Sequence, residues 1–240
     1  MNTKIMNFSA DVSTEEHMAR VVTEYSAAVQ TIDIVVASAG VTHPNYFQVL
    51  PVSEFERLMR INYIGAVVTC KAVSEHMKKH NGGRIVLVAS MAGLAGIHGY
   101  SAYAPTKFAV RGLGECLAME LKPYGITVSV CNPPDVDTPM YAEENKTKPE
   151  ECVLISEGTG VFPASQLATD ICNGIENYKF FIQTGFDGFM IGLLSAGFAP
   201  ASFGEAVTQV LLMSPMRLVA VLYRYMYDRI VMQVHNKRVA

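Results

Sequence analysis

Short β-branched runs alternating with long helical patterns constrain this 240-residue chain more than any other feature. Residues 35–38, 85–89 and 127–131 read as strands, and residues 180–184 as a last one; the first is apolar enough to be a buried strand. Residues 55–79 carry Leu58, Ile61, Ile64, Val67, Val68, Val73 and Met77 at helical spacing and stop before Gly82 and Gly83. A second helix begins at Ala102 or Tyr103 and runs to about Lys122. Pro105 falls in its first turn, where a missing amide is harmless. Residues 166–177, after Pro163, form a third. Such βα alternation predicts an α/β fold around a parallel sheet.

Composition narrows the function classes. Half the residues are hydrophobic and the net charge is -3, so no basic footprint for nucleic acid exists. Cys70, Cys116, Cys131, Cys152 and Cys172 are odd in number and form no Cys-x-x-Cys pair. They read as reduced core residues of a protein facing the cytosol. His76 and His80 lie four apart without a third ligand in view, so a solvated helix face is expected rather than a zinc site. The triplets at Asn7 and Asn145 are expected to carry no glycan.

The chemistry concentrates at three residues. Ser90 closes the strand Arg84-Ile85-Val86-Leu87-Val88-Ala89, and Tyr103 follows thirteen residues later with Lys107 four beyond it. Tyr and Lys four apart share one helix face. A free phenol titrates near ~10, so a neighbouring ammonium is expected to favour the phenolate and bring proton transfer toward neutral pH. Ser90 arrives from a strand end, where open α/β sheets place ligands.

This Ser, Tyr and Lys arrangement resembles that of the short-chain dehydrogenase/reductase family. Three further stretches agree with it in order and spacing: Val35-Val36-Ala37-Ser38-Ala39-Gly40, Arg60-Ile61-Asn62-Tyr63-Ile64-Gly65 and Asn132-Pro133-Pro134-Asp135-Val136-Asp137-Thr138. The resemblance implies a Rossmann-like doubly wound parallel sheet over residues 1–185, followed by an apolar helical extension over residues 186–240. It implies NADPH as cofactor and a catalytic set of Asn62, Ser90, Tyr103 and Lys107. Tyr103 would donate the proton, Ser90 hold the carbonyl, Lys107 hold the ribose, and Asn62 hold a helix-kink water. Cofactor contacts would come from Asp11 at the adenine, Ala39 and Gly40 by close backbone approach, Pro133 and Thr138 at the carboxamide, and Tyr103 and Lys107 again.

The start departs from the family pattern. Met1 is not followed by a signal peptide or an anchor pattern. Ile5-Met6-Asn7-Phe8 reads as the family's third strand, ahead of a helix capped by Ser13 with Glu16 in the capping-box position. No Gly-x-x-x-Gly-x-Gly follows a strand, and the first glycine is Gly40. The expectation is therefore an N-terminally truncated sheet lacking its first two strands, with a gap between residues 5–8 and 35–38. Weak NADPH binding follows, because the pyrophosphate cradle lies in the segment not seen.

Beyond Thr138 the resemblance becomes narrower. The loop carrying Asp135, Asp137, Glu143 and Glu144 is similar to that of 3-ketodihydrosphingosine reductases, which implies a long-chain sphingoid base ketone as substrate and a role in sphingolipid biosynthesis. One of the four acids is expected to face the substrate ammonium. Residues 189–203 and 207–227 are apolar, but Pro200, Pro215 and Arg217 argue against a spanning helix. An interfacial segment with snorkelling arginines is expected, and a dimer-packing or core helix is the alternative. The implied location is the endoplasmic reticulum membrane, facing the cytosol. Rival readings are a steroid or retinoid reductase of the same family, or a truncated isoform without activity.

Overall fold

The computed structural model describes residues 5–158, 160–197 and 199–239. Helix α1 (Glu15–Val29) precedes strand β1 (Ile34–Ala37); α2 (Val52–Met59) passes through a π-helical turn at Arg60–Ile64 into α3 (Gly65–Lys79). Strand β2 (Gly83–Val88), helix α4 (Ala104–Glu120) and strand β3 (Ile126–Asn132) follow. Next come β4 (Val136–Asp137), α5 (Pro139–Glu144), α6 (Glu150–Ser156), β5 (Phe162–Pro163), α7 (Ala164–Glu176) and β6 (Phe181–Gln183). The chain closes with α8 (Gly185–Leu194) and the long α9 (Phe203–Val239).

The main sheet runs β1-β2-β3-β6, all parallel, with Val35 opposite Ile85, Ile85 opposite Val128 and Val130 opposite Phe181. Met77, Ile85, Leu87, Val110, Val130 and Ile126 fill the core between sheet and helices with almost no exposure. The α/β expectation and the positions of these four strands therefore hold.

Several expectations do not. Residues 5–8 adopt no regular structure, so no strand-flanked gap interrupts the sheet. Strand β1 is instead an edge, and no described strand pairs its outer side. It is also half-exposed: Val35 and Ala37 turn to the core while Ile34 and Val36 stay 51% and 42% exposed. The period-2 side-chain alternation puts one face of an uncovered edge strand in solvent.

The α1 cap is Thr14, not Ser13, and neither side chain caps the helix; Ser13 bonds Asp11. Cys116 and Cys172 are exposed, and only Cys70, Cys131 and Cys152 are buried as predicted. His76 and His80 stack at 4.1 Å, with no metal-type cluster among the described residues.

Candidate active site

The end of β2 delivers Ser90 in an extended conformation, and its Oγ accepts from the Ala92 amide at 3.1 Å. One residue on, the Met91 amide donates to the Pro133 carbonyl at 3.0 Å, which locks the ends of β2 and β3 together. Tyr103 stands at the start of α4, buried to 7% exposure, and Lys107 lies one turn later at 5%. The Lys107 Nζ donates to the Val88 carbonyl at 3.0 Å and sits 5.6 Å from the Tyr103 ring centroid.

Electrostatics here run against the simple spacing argument. Burial pushes the Tyr103 phenol above its ordinary value, the Ser90 hydroxyl pulls it down by hydrogen bonding, and the Glu144 and Asp135 charges push it up. Burial likewise lowers Lys107 to about 8. Desolvation penalises both charged forms. The ammonium bonds a backbone carbonyl rather than the phenol, so its charge does not offset that penalty.

Asn62 occupies the π-helical turn between α2 and α3, a local widening often found at functional sites. Its Nδ2 donates to Val41 O and Thr106 Oγ1, both at 2.9 Å, and its Oδ1 accepts from Val41 N at 2.8 Å. The side chain thus clamps the loop after β1 onto α4. Gly40 lies under this clamp: a Cβ there would stand 3.2 Å from Asn62 Oδ1 and 3.5 Å from Lys107 Nζ.

The other predicted cofactor residues divide. Pro133 and Thr138 line the same cavity as Ser90, Tyr103, Lys107 and Gly40, whereas Ala39 and Asp11 are not among its lining residues. Ser38, which stands where the family has the Asn of Asn-Ala-Gly and had no site role from the sequence, lines it beside Gly40. Thr138 has a local task as well: it caps α5, its Oγ1 accepting from Tyr141 N at 3.2 Å. Asp11 accepts from both the amide and hydroxyl of Ser13 at 2.9 and 2.8 Å, which lowers its pKa and satisfies turn chemistry. Neighbouring Val12 packs on α3 where Gly65 leaves room; a Cβ at Gly65 would stand 2.8 Å from Val12 Cγ2.

The acidic loop resolves into two pairs. Asp135 and Glu144 line the cavity, while Asp137 is exposed and Glu143 pairs with Lys146 at the surface. Lys148, which sequence reasoning missed, lies between the inner pair with its side chain 1% exposed, 2.9 Å from Glu144 and 3.5 Å from Asp135. The Tyr100 hydroxyl donates to Glu144 at 2.5 Å. Two carboxylates thus face one ammonium at the cavity wall, and burial raises Asp135.

Helix α9 roofs this cavity of about 530 Å³ through Ala220, Tyr223 and Tyr227. Met216, Tyr223, Tyr227, Ile230 and buried Val234 continue the inward stripe at spacings of three, four and seven. The far end is latched by Arg238, whose guanidinium donates to Glu151 at 2.9 and 3.1 Å and stacks over Tyr46. Contrary to the sequence expectation, Pro215 and Arg217 do not interrupt α9, which is long and apolar enough to cross a membrane by length and composition. Pro215 frees the carbonyl four residues back, and Leu211 there is 69% exposed, so water can satisfy it.

Ser90, Tyr103 and Lys107 thus line one cavity beside a parallel α/β sheet, a geometry able to hold a carbonyl and move a proton to it. Residues 1–149 match the model for short chain dehydrogenase, and the chain belongs to the short-chain dehydrogenase/reductase family. A Mus musculus protein named 3-ketodihydrosphingosine reductase is 42% identical over 229 residues, covering 95% of this chain and 69% of the relative. A Dictyostelium discoideum protein of the same name is 37% identical, covering 99% and 72%. Among solved structures, levodione reductase superposes with a TM-score of 0.61 at 28% identity, covering 67% of this chain and 66% of that one. A Burkholderia cenocepacia gluconate 5-dehydrogenase in complex with NADP and tartrate gives 0.53 at 28%, covering 57% and 52%.

Proposed function

We propose that this chain reduces the C3 ketone of 3-ketodihydrosphingosine to dihydrosphingosine with NADPH, a step of sphingolipid synthesis. The observation that carries the reading is Ser90, Tyr103 and Lys107 meeting in one cavity beside the buried Asp135–Lys148–Glu144 cluster. The names of the relatives support the substrate, and the NADP complex of the gluconate 5-dehydrogenase supports the cofactor class.

A nicotinamide fits this site on two grounds. Gly40 keeps the backbone bare against Asn62 and Lys107, and Lys107 has spent one of its three donors on Val88 O. Lys107 would hold the ribose, and Thr138 with the backbone after Pro133 the carboxamide; Asp11 and Ala39 keep the adenine-edge and backbone roles that the resemblance implies. A bound reduced nicotinamide supplies the hydride. Among the described residues no glycine-rich turn follows a strand to meet a pyrophosphate.

The chain's own residues handle the carbonyl oxygen. Ser90 Oγ orients it, pre-organised for the charge that develops there. Tyr103 gives that oxygen its proton. A phenol held above its ordinary pKa is fully protonated at neutral pH, which suits a donor in the reductive direction. Asn62 has committed its side-chain amide to Val41 and Thr106, so its part is to hold the loop and, through the backbone of the π-turn, a relay water. Asp135 and Glu144, with one ammonium between them, leave a negative wall for the substrate amine.

The outward face of α9 carries Leu211, Leu218, Leu222, Tyr225 and Met232, each at least 56% exposed, opposite its cavity face. This two-faced placement supports a helix lying in the membrane surface; the endoplasmic reticulum, with the catalytic part facing the cytosol, follows from the family resemblance. A spanning helix would not keep one face on the catalytic cavity.

Incubating the purified chain with NADPH and 3-ketodihydrosphingosine in mixed micelles, and measuring dihydrosphingosine by mass spectrometry, tests the reading. Product formation supports it; turnover of steroid or retinoid ketones with none of the sphingoid base would overturn it.

A further inference from the structure

A second cavity, of about 810 Å³, lies between α9 and the segment that leads into α4. It shares Gly96, Ile97, Tyr100, Ile155, Arg224 and Tyr227 with the catalytic cavity, so the two adjoin across a common wall. Their chemistry changes from one to the other. The inner end holds Ser90, Tyr103, Lys107 and the Asp135–Glu144 wall. The outer end is walled by Ala104, Pro105, Phe108 and Val231, with Phe108 43% exposed at the surface. Tyr100 divides the two, its hydroxyl spent on Glu144 and its ring left to the passage. Two buried polar atoms, His98 Nδ1 and Ser101 Oγ, face no partner among the described residues on one flank of the outer cavity, and on the α9 flank Arg224 and Asp228 neutralise each other at 3.1 Å.

We infer that this second cavity is the channel for the alkyl chain of the substrate, with Gly96 as the residue that keeps its entrance open and sets the chain length accepted. The inference rests on the functional reading above, because it takes the ketone to lie at Tyr103. An alkyl chain leaving that point has the polar wall on one side and the junction at Gly96, Ile97 and Tyr227 on the other. Burying it along Phe108 and Val231 removes apolar surface from water, the main source of affinity for such a tail. Gly96 decides the width. A Cβ added there meets nothing within 4 Å and the backbone is not left-handed, so a larger side chain at this shared wall can be built without straining the fold.

Gly96→Phe and, independently, Val231→Phe on α9 test the channel, with Gly96→Ala as the folding control. Each is assayed with NADPH on two 2-amino-3-keto alcohols, one of eighteen carbons and one of eight, with thermal melts run alongside. The expected result is a fall in kcat/KM of about tenfold or more for the long ketone in either Phe variant, and little change for the short one. Equal losses on both ketones in a variant that melts like wild type, or no loss on the long one, would overturn the channel while leaving the functional reading in place. A wild-type chain that reduces neither ketone overturns the functional reading, and the channel with it.

Discussion

The floor and the roof of the cavity are built on different principles. The floor hangs on strand ends and backbone hydrogen bonds: Met91 N on Pro133 O, Lys107 Nζ on Val88 O, and Asn62 on both backbone atoms of Val41. The roof is one face of α9, held by side-chain packing and a terminal latch from Arg238 to Glu151. A backbone-fixed floor places reacting groups within the tight tolerance that proton transfer needs. A packed helix tolerates exchange of its facing residues, which suits selection of a tail rather than chemistry.

If floor and roof divide the work in this way, floor variants should lose turnover and roof variants should change selectivity. The largest effect is expected from Tyr103→Phe, which removes one hydroxyl from a site otherwise left intact. Loss of a general acid predicts a fall in kcat of about 10²- to 10⁴-fold with an unchanged melting curve. A mutant near wild-type turnover would break the floor's claim to the chemistry.

Next in size is the amine wall. Asp135→Asn or Glu144→Gln should penalise the amino ketone over a matched ketone without the amine by roughly ten- to hundredfold, as for a charge-assisted contact. Asp137→Asn and Glu143→Gln, on exposed residues, should leave that ratio unchanged. Competition kinetics with the two ketones reads this directly.

A smaller effect tests the latch. Arg238→Ala strips Glu151, whose side chain is 3% exposed, of its guanidinium partner and leaves it the Tyr46 hydroxyl and a backbone amide. Hydrogen exchange over residues 230–239 should quicken, and discrimination between long and short ketones should relax while kcat on the short one holds. Unchanged exchange would show that packing through Val234 suffices.

The smallest effect is in stability against pH. Lys107 is depressed to about 8 from an ordinary 10.5, so between those values the unfolded chain holds a proton that the folded chain has shed. Stability from this group therefore rises with pH across that window, and the burial penalty is fully present below it. Lys107→Met should melt higher than wild type at pH 7, with the difference shrinking by pH 10.5. A constant difference would mean that Lys107 stays charged throughout.

Legibility from the sequence follows the same division. Ser90, Tyr103 and Lys107 could be placed from spacing because a strand end and one helical turn fix where such residues go. The strands at β2 and β3 were equally plain, being apolar runs buried on both faces. What failed depended on neighbours. Residues 5–8 have strand-like composition but no pairing partner, and β1 keeps half its apolar side chains in water. Lys148 sat unremarked among loop charges because only the fold brings it between Asp135 and Glu144. The continuity of α9 past Pro215 was missed since a proline argues locally for a break, while a 37-residue helix propagates on both sides of it. Lys107 was expected to favour the phenolate, and the degree of burial that reverses this is a tertiary property.

The central claim is that hydride arrives at a sphingoid C3 carbon while Tyr103 protonates the oxygen. The direct test is to run the reaction with NADPH carrying deuterium at both C4 positions of the nicotinamide and locate the label in the product by mass spectrometry. The expected result is dihydrosphingosine carrying deuterium at C3 in the wild-type chain and loss of most of that labelled product in Tyr103→Phe. Labelled product formed equally fast by both chains, or reduction without label at C3, would contradict the account.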